Sequence, residues 1–202
     1  MMEGLDENRI DTDPVKQFQL WFDEAIAAKL PMPDAMSLAT VTPDCRPTSR
    51  MVLLKQVDGY GFVFFTNYES AKAKQLEISP YAALVFYWPQ LERQVRVEGK
   101  VTKTSLEESV AYFKTRPRES QIGAWASPQS EVIPAREVLE QRARELAELY
   151  GDREIDCPEN WGGFRLTPDR IEFWKGRVGR LHDRILYELQ PDGSWTMKRL
   201  AP

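Results

Sequence analysis

Residues 48–66 read TSRMVLLKQVDGYGFVFFT. Two runs rich in β-branched, aromatic and long apolar residues, 48–56 and 60–66, flank Asp58-Gly59. An Asp-Gly pair between such runs is a hairpin signal, because glycine accepts a positive φ. Further strand-like runs lie close by at 36–42, 81–88 and 94–102. Five strands with short connections predict an antiparallel barrel or sandwich. Before these strands a first helix is expected over 13–29, with Pro14 at its opening position and Phe18, Trp21, Phe22 and Ala25 on one apolar stripe. Shorter helices are expected over 70–78 and from Ser105, which forms a capping box with Glu108, and a longer one over 134–150. The chain returns to strands at 163–166, 170–174, 181–189 and 195–200, with Pro191-Asp192-Gly193 as a turn. The fold class expected is mainly β with peripheral helices, a β-barrel of α+β character.

With 202 residues and 42% hydrophobic content, one core is the natural solution: a flexible segment over 1–13, then a single domain over 14–202. No apolar run approaches the roughly 20 residues a membrane span needs, and the first residues are acidic rather than signal-like, so no membrane partner is expected. Cys45 and Cys157 stand far apart and His182 is the only histidine, which speaks against a metal site of Cys and His and against a disulfide framework. The compartment reads as reducing and the location as cytoplasmic. A net charge of −4 argues against nucleic acid as a partner. Residues 161–202 nevertheless hold eight Lys/Arg against five Asp/Glu, a setting suited to an anion.

Four stretches bear on chemistry. In Arg50-Met51-Val52-Leu53-Leu54-Lys55 a cation stands at each end of an apolar run; either this is a core strand with solvated ends, or its cations hold phosphate. Period-2 geometry puts Arg50 and Lys55 on opposite faces, which implies two ligand regions or two subunits. Thr66-Asn67 leads into Ser70-Ala71-Lys72 at a helix start, where open amides, a hydroxyl and a lysine make an anion site or an ordinary capped helix. Tyr112, Arg116 and Ser120 bracket a helix end and, after Pro117, a new start, either a phosphate clamp or a solvated basic end. In the run from Trp174 to Arg184, an extended chain from Arg180 onward would set Arg180, His182 and Arg184 on one face; a structural histidine and a ligand-facing one are both compatible with that pattern.

In order along the chain, RMVLLK at 50–55, LERQVRVEGK at 91–100, RPRESQIGAWAS at 116–127, Gln129-Ser130, WGGFR at 161–165, IEFW at 171–174, RLHDR at 180–184 and the terminal RLAP resemble the pyridoxamine 5′-phosphate oxidase family. The resemblance spans residues 14–202 and is specific because long, separate motifs agree in order. It implies a homodimeric split β-barrel with FMN between the subunits. Arg50, Met51 to Leu54, Lys55, Phe65, Thr66, Lys72, Gln94, Gln129, Ser130, Trp174 and Arg184 would hold FMN, with Arg50 and Lys72 on its phosphate. Lys55, Tyr112, Arg116 and Ser120 would take the substrate phosphate, while Arg180 and His182 close over the pyridine ring as catalytic residues. The implied reaction converts pyridoxamine 5′-phosphate and pyridoxine 5′-phosphate to pyridoxal 5′-phosphate, with O2 as acceptor and H2O2 released, plus ammonia from the amine. Two positions depart from the family pattern: Ala71 where an arginine is common, and Phe65 where a tyrosine is frequent. Rival readings are a phenazine-type oxidase or flavin reductase of the same barrel type, and a non-catalytic carrier of FMN or B6 phosphates. An oligonucleotide-binding barrel is disfavoured by a pI near 5.3.

Overall fold

The computed structural model describes residues 4–202. The elements run α1 (Pro14–Ala27), β1 (Ala35–Val41), β2 (Pro47–Leu53), β3 (Gln56–Asp58), β4 (Gly61–Asn67), α2 (Ala71–Ile78), β5 (Tyr81–Trp88), β6 (Arg93–Lys103), α3 (Leu106–Thr115), α4 (Arg118–Ala126), α5 (Arg136–Tyr150), β7 (Trp161–Lys175), β8 (Asp183–Leu189) and β9 (Trp195–Arg199). Local chemistry sets several ends. Asp13 caps α1 by accepting from the backbone N–H of Val15 at 2.9 Å, and Pro14 needs no such acceptor. Ser105 and Glu108 close the expected capping box on α3.

All strand pairs are antiparallel, in the order β2-β1-β5-β6-β7-β4-β3. β2 and β3 stand at opposite ends of this path, yet only Leu54 and Lys55 separate them in sequence. The sheet therefore curls until its two edges are joined by two residues, which is a barrel left open at one seam. β7 creates a second division. Its first part, from Trp161 to Leu166, pairs with β4, and its last part, from Arg170 to Lys175, pairs with β8, which in turn holds β9.

The barrel interior is aromatic. Phe18 of α1 is fully buried and meets Phe62, Phe86 and Trp88, while Trp21 meets Phe173 edge-on at 5.2 Å. Burying a side chain such as Phe18 contributes about 2–3 kcal/mol. A second, smaller cluster of Phe113, Ile122, Ile155 and Trp161 sits under α3 and α4. Among the described residues no helix is long and apolar enough to cross a membrane.

The structure corrects several expectations. The 48–56 run breaks after Leu53, because the chain must there pass from one sheet edge to the other. The hairpin is real, but it joins β3 to β4 through Gly59-Tyr60, and the positive φ falls on Gly61. A Cβ on Gly61 would lie 2.0 Å from the Leu166 carbonyl oxygen, so only glycine fits. The two strands expected over 163–174 are one strand, β7, which carries Pro168 past a register shift between Glu98 and Gly99 of β6. β8 starts at Asp183, and Arg180 sits at φ 61 in a tight turn, so Arg180, His182 and Arg184 do not share a strand face. Of the segment expected to be flexible, residues 1–3 lie outside the described residues, and the rest makes contacts from Leu5 on. Arg199 binds Glu7, and Tyr187 donates to the Asp11 carbonyl at 2.6 Å.

Candidate active site

A cavity of about 680 Å³ opens beside the barrel seam. Met51, Val52, Leu53 and Lys55 line it from β2 and the crossover that follows, and Phe65 and Thr66 from β4. Lys72 enters from the first turn of α2, Tyr112 from α3, Arg116 and Ser120 from the α3–α4 corner, and Gln129 from the loop after α4. Leu54 is buried beneath them, and Ser130, next to Gln129, is exposed with φ 75.

Lys72 is the most constrained cation. Only 8% exposed, it donates to Thr66 Oγ1 at 3.0 Å, Ser70 Oγ at 3.2 Å and Gln129 Oε1 at 3.1 Å. All three acceptors are neutral. Burial, and after it the nearby Arg50, push its pKa down to about 8. Ser70 stands at the N-cap of α2, but its side chain makes no capping bond and accepts from Lys72 instead. The helix start is therefore not an ordinary capped one.

Arg50 lies behind Lys72 rather than in the cavity wall. One terminal nitrogen donates to Leu38 O and Thr40 Oγ1, the other to Thr48 Oγ1 and Gln75 Oε1. These four bonds use its four terminal hydrogens, which leaves Nε–H for any further acceptor. Burial lowers its pKa. Among the described residues neither Arg50 nor Lys72 has a carboxylate partner, so two partly desolvated cations stand together uncompensated.

A second cationic group stands across the cavity. Phe65, Tyr112 and Trp161 stack, with Phe65 and Tyr112 centroids 4.1 Å apart, and the Arg116 guanidinium lies 4.6 Å over the Trp161 ring. Nη1 of Arg116 is buried with no hydrogen-bond partner among the described residues, and burial lowers the group's pKa. A buried guanidinium donor without an acceptor is costly unless a ligand supplies one. Lys55 differs, since Asp34 holds its Nζ at 2.9 Å.

The other expected residues lie elsewhere. Gln94, Trp174 and Arg184 are cross-strand neighbours on β6, β7 and β8, and His182 packs on Trp174 with centroids 4.7 Å apart. None of these, nor Arg180, lines the cavity. Trp161 and Trp174 are thirteen residues apart on one strand, about 40 Å of strand length. Trp161 and Thr115 also line the cavity and Gln75 holds Arg50, three residues to which the sequence assigns no role; Asn67, within the stretch leading to Lys72, lines it too. A tryptophan opening a strand carries no local mark of a cation stacked upon it.

A family model described as pyridoxamine 5′-phosphate oxidase matches residues 22–150, and one described as pyridoxine 5′-phosphate oxidase C-terminal dimerisation region matches residues 161–202. The pyridoxine/pyridoxamine 5′-phosphate oxidase of Trichormus variabilis is 55% identical over 201 residues, spanning 100% of this chain and 94% of that protein. The protein of the same name from Cupriavidus necator is 55% identical over 202 residues, spanning 100% of this chain and 95% of its own. Among solved structures, PhzG from Burkholderia lata 383, in complex with tetrahydrophenazine-1-carboxylic acid, superposes with a TM-score of 0.93 at 28% identity, over 99% of this chain and 98% of that one. Family match and full-length identity agree with the barrel and its C-terminal strands: the chain belongs to the pyridoxamine 5′-phosphate oxidase family.

Proposed function

We propose that the protein oxidises pyridoxamine 5′-phosphate and pyridoxine 5′-phosphate to pyridoxal 5′-phosphate, using FMN, with O2 as acceptor. One observation carries this reading. Two separate groups of cations flank the cavity without an anion among the described residues, Lys72 in its wall with Arg50 behind it, and Arg116 in the wall across from them. A cofactor phosphate and a substrate phosphate would satisfy one set each. The names of the relatives, pyridoxine/pyridoxamine 5′-phosphate oxidase, agree with that pairing.

The residues present fit FMN. Lys72 and the open amides at the start of α2 would take its phosphate, while Met51, Val52 and Phe65 give a largely apolar wall for the ring system. When bound, FMN supplies the two-electron acceptor and its reoxidation by O2. The chain's own part is placement. Arg116, stacked on Trp161, offers a preset donor to the substrate phosphate, and Tyr112 and Ser120 flank it. Phosphate held at that end fixes where the substrate's ring reaches. Such orientation is worth about 7–11 kcal/mol in favourable cases. Arg180 and His182 would close over the ring. They lie off the cavity of their own chain and within the region matching the dimerisation model, so we assign them to the site of a partner subunit.

The test is aerobic turnover of pyridoxamine 5′-phosphate by purified protein with added FMN, following pyridoxal 5′-phosphate and peroxide together. Equimolar formation of both is expected. The likeness to PhzG supports a second reading, oxidation of a reduced phenazine carboxylate. Turnover of such a compound with none of pyridoxamine 5′-phosphate would replace the first reading by the second.

A further inference from the structure

The turn carrying Arg180 and His182 has little apolar anchorage. It runs from the end of β7 at Lys175 to the start of β8 at Asp183, and Val178 and Leu181 are 98% and 75% exposed. Gly179 and Arg180 both adopt positive φ. A segment this poor in buried contacts opens at low free energy unless polar bonds restrain it.

Those bonds converge on Asp183. Its Oδ1 accepts from Arg199 Nη1 at 2.7 Å, and its Oδ2 accepts from the backbone N–H of Leu5 at 3.1 Å. Oδ2 also stands 3.6 Å from Nε of Arg177, within the turn. One carboxylate thus gathers the N-terminal segment, β9 and the turn. Arg199 is itself fixed, since both oxygens of Glu7 accept from it at 2.6 Å and the Leu5 carbonyl at 2.7 Å. Charge-assisted bonds of this kind are the strong ones.

Inside the turn, the backbone N–H of Arg177 donates to Nδ1 of His182 at 3.1 Å. An amide N–H can only donate, so Nδ1 is the unprotonated nitrogen and the neutral ring carries its hydrogen on Nε2. The residue that Asp183 anchors is therefore the residue that fixes the histidine's tautomer and tilt.

We infer that Asp183 is a positioning residue for the reaction. Through Arg177 it holds the 176–182 turn in the shape that presents Arg180 and the Nε2–H of His182, and the Leu5–Glu7 segment is the strap that fixes it by way of Arg199. This inference rests on the reading of Arg180 and His182 as groups that close over substrate. Asp183 itself touches no substrate.

The experiment compares the full-length holoenzyme with Asp183→Ala, Asp183→Asn and Glu7→Gln. Amide hydrogen exchange is read over 177–182 and over 185–189 as control, with kcat and KM for pyridoxamine 5′-phosphate. In Asp183→Ala, exchange over 177–182 should quicken about three- to fivefold while 185–189 is unmoved, and kcat should fall by a similar factor, more than KM rises. Asp183→Asn, which keeps one acceptor, should recover part of both effects. Unchanged exchange over 177–182, or quickening spread equally into β8, would overturn the assignment. Should Asp183→Ala fail to fold, Glu7→Gln decides: turn-selective quickening supports the strap and no change refutes it. A failure of the functional reading looks different, because the unaltered protein would then leave pyridoxamine 5′-phosphate untouched while the exchange difference persisted.

Discussion

Lys72 makes stability and ligand affinity respond to pH in opposite directions. Its pKa is lowered from 10.5 to about 8, so the folded protein without ligand holds the charged form at a cost. That cost is fully present below about pH 8 and is relieved as pH rises from 8 towards 10.5, where the unfolded chain still binds the proton. A phosphate on Lys72 needs the ammonium, so FMN affinity should fall as pH rises through 8, by at most about tenfold per pH unit. Lys72→Met should remove both trends. The flavin-free protein becomes more stable, while the dissociation constant for FMN rises about ten- to a hundredfold and loses its dependence on pH. Thermal melts and fluorescence titrations across pH 8 check both halves, and an FMN affinity that is flat with pH in the unaltered protein would refute the role. Arg116 makes a separate case. Arg116→Ala should raise KM for pyridoxamine 5′-phosphate about ten- to a hundredfold with flavin content unchanged, because Arg116 lines the cavity apart from Lys72 and is proposed to take the substrate phosphate rather than that of FMN.

Across β6, β7 and β8 a buried carboxylate organises the far group of residues. Glu172, 8% exposed, accepts from Nε and Nη2 of Arg184 at 2.8 and 3.1 Å and from Arg96 at 3.3 Å. Glu172→Gln keeps the shape and removes the charge, leaving the Arg184 fork half-satisfied. Stability should drop by about 1–3 kcal/mol, seen as a lower denaturant midpoint, and flavin retention should weaken if Arg184 holds FMN as the proposed function has it. Elements such as α1, β5 and the Ser105 capping box were legible in the sequence because their signals are local: a cap, an alternation, a spacing of three. The break after Leu53 was not, since only closure of the barrel demands it. Nor was the continuity of β7. Pro168 and Asp169 read as an interruption, yet Gly99 on β6 lets the strand pass; a Cβ there would lie 2.1 Å from the Thr167 carbonyl oxygen. The candidate site divides along the same line. Its residue types could be read from motifs, but the turn at Gly179-Arg180 and the stacking of Arg116 on Trp161 are products of tertiary packing.

At the scale of the whole molecule, the proposed function asks two groups of residues about 40 Å apart along β7 to serve one reaction. Within one chain the cavity is lined by Trp161 and not by Trp174, Arg180 or His182. Residues 161–202 match a dimerisation region, and a two-fold dimer offers the missing group from the second copy, since each partner then supplies what the other's cavity lacks. Complementation follows from that geometry. Arg116→Ala impairs the cavity group and His182→Ala the turn group, so each homodimer carries the same lesion in both sites. A mixed dimer concentrates both lesions in one site and leaves the other intact. Random mixing makes half the dimers mixed, each with one working site of two, so the mixture should regain about a quarter of the unaltered turnover when each parent alone is close to inactive. The assay is run at substrate concentrations below the unaltered KM, on co-expressed and co-purified chains. Activity no greater than the mean of the two parents would place both groups in a single-chain site, and the turn would then have to reach its own cavity by a movement far larger than a side-chain rearrangement.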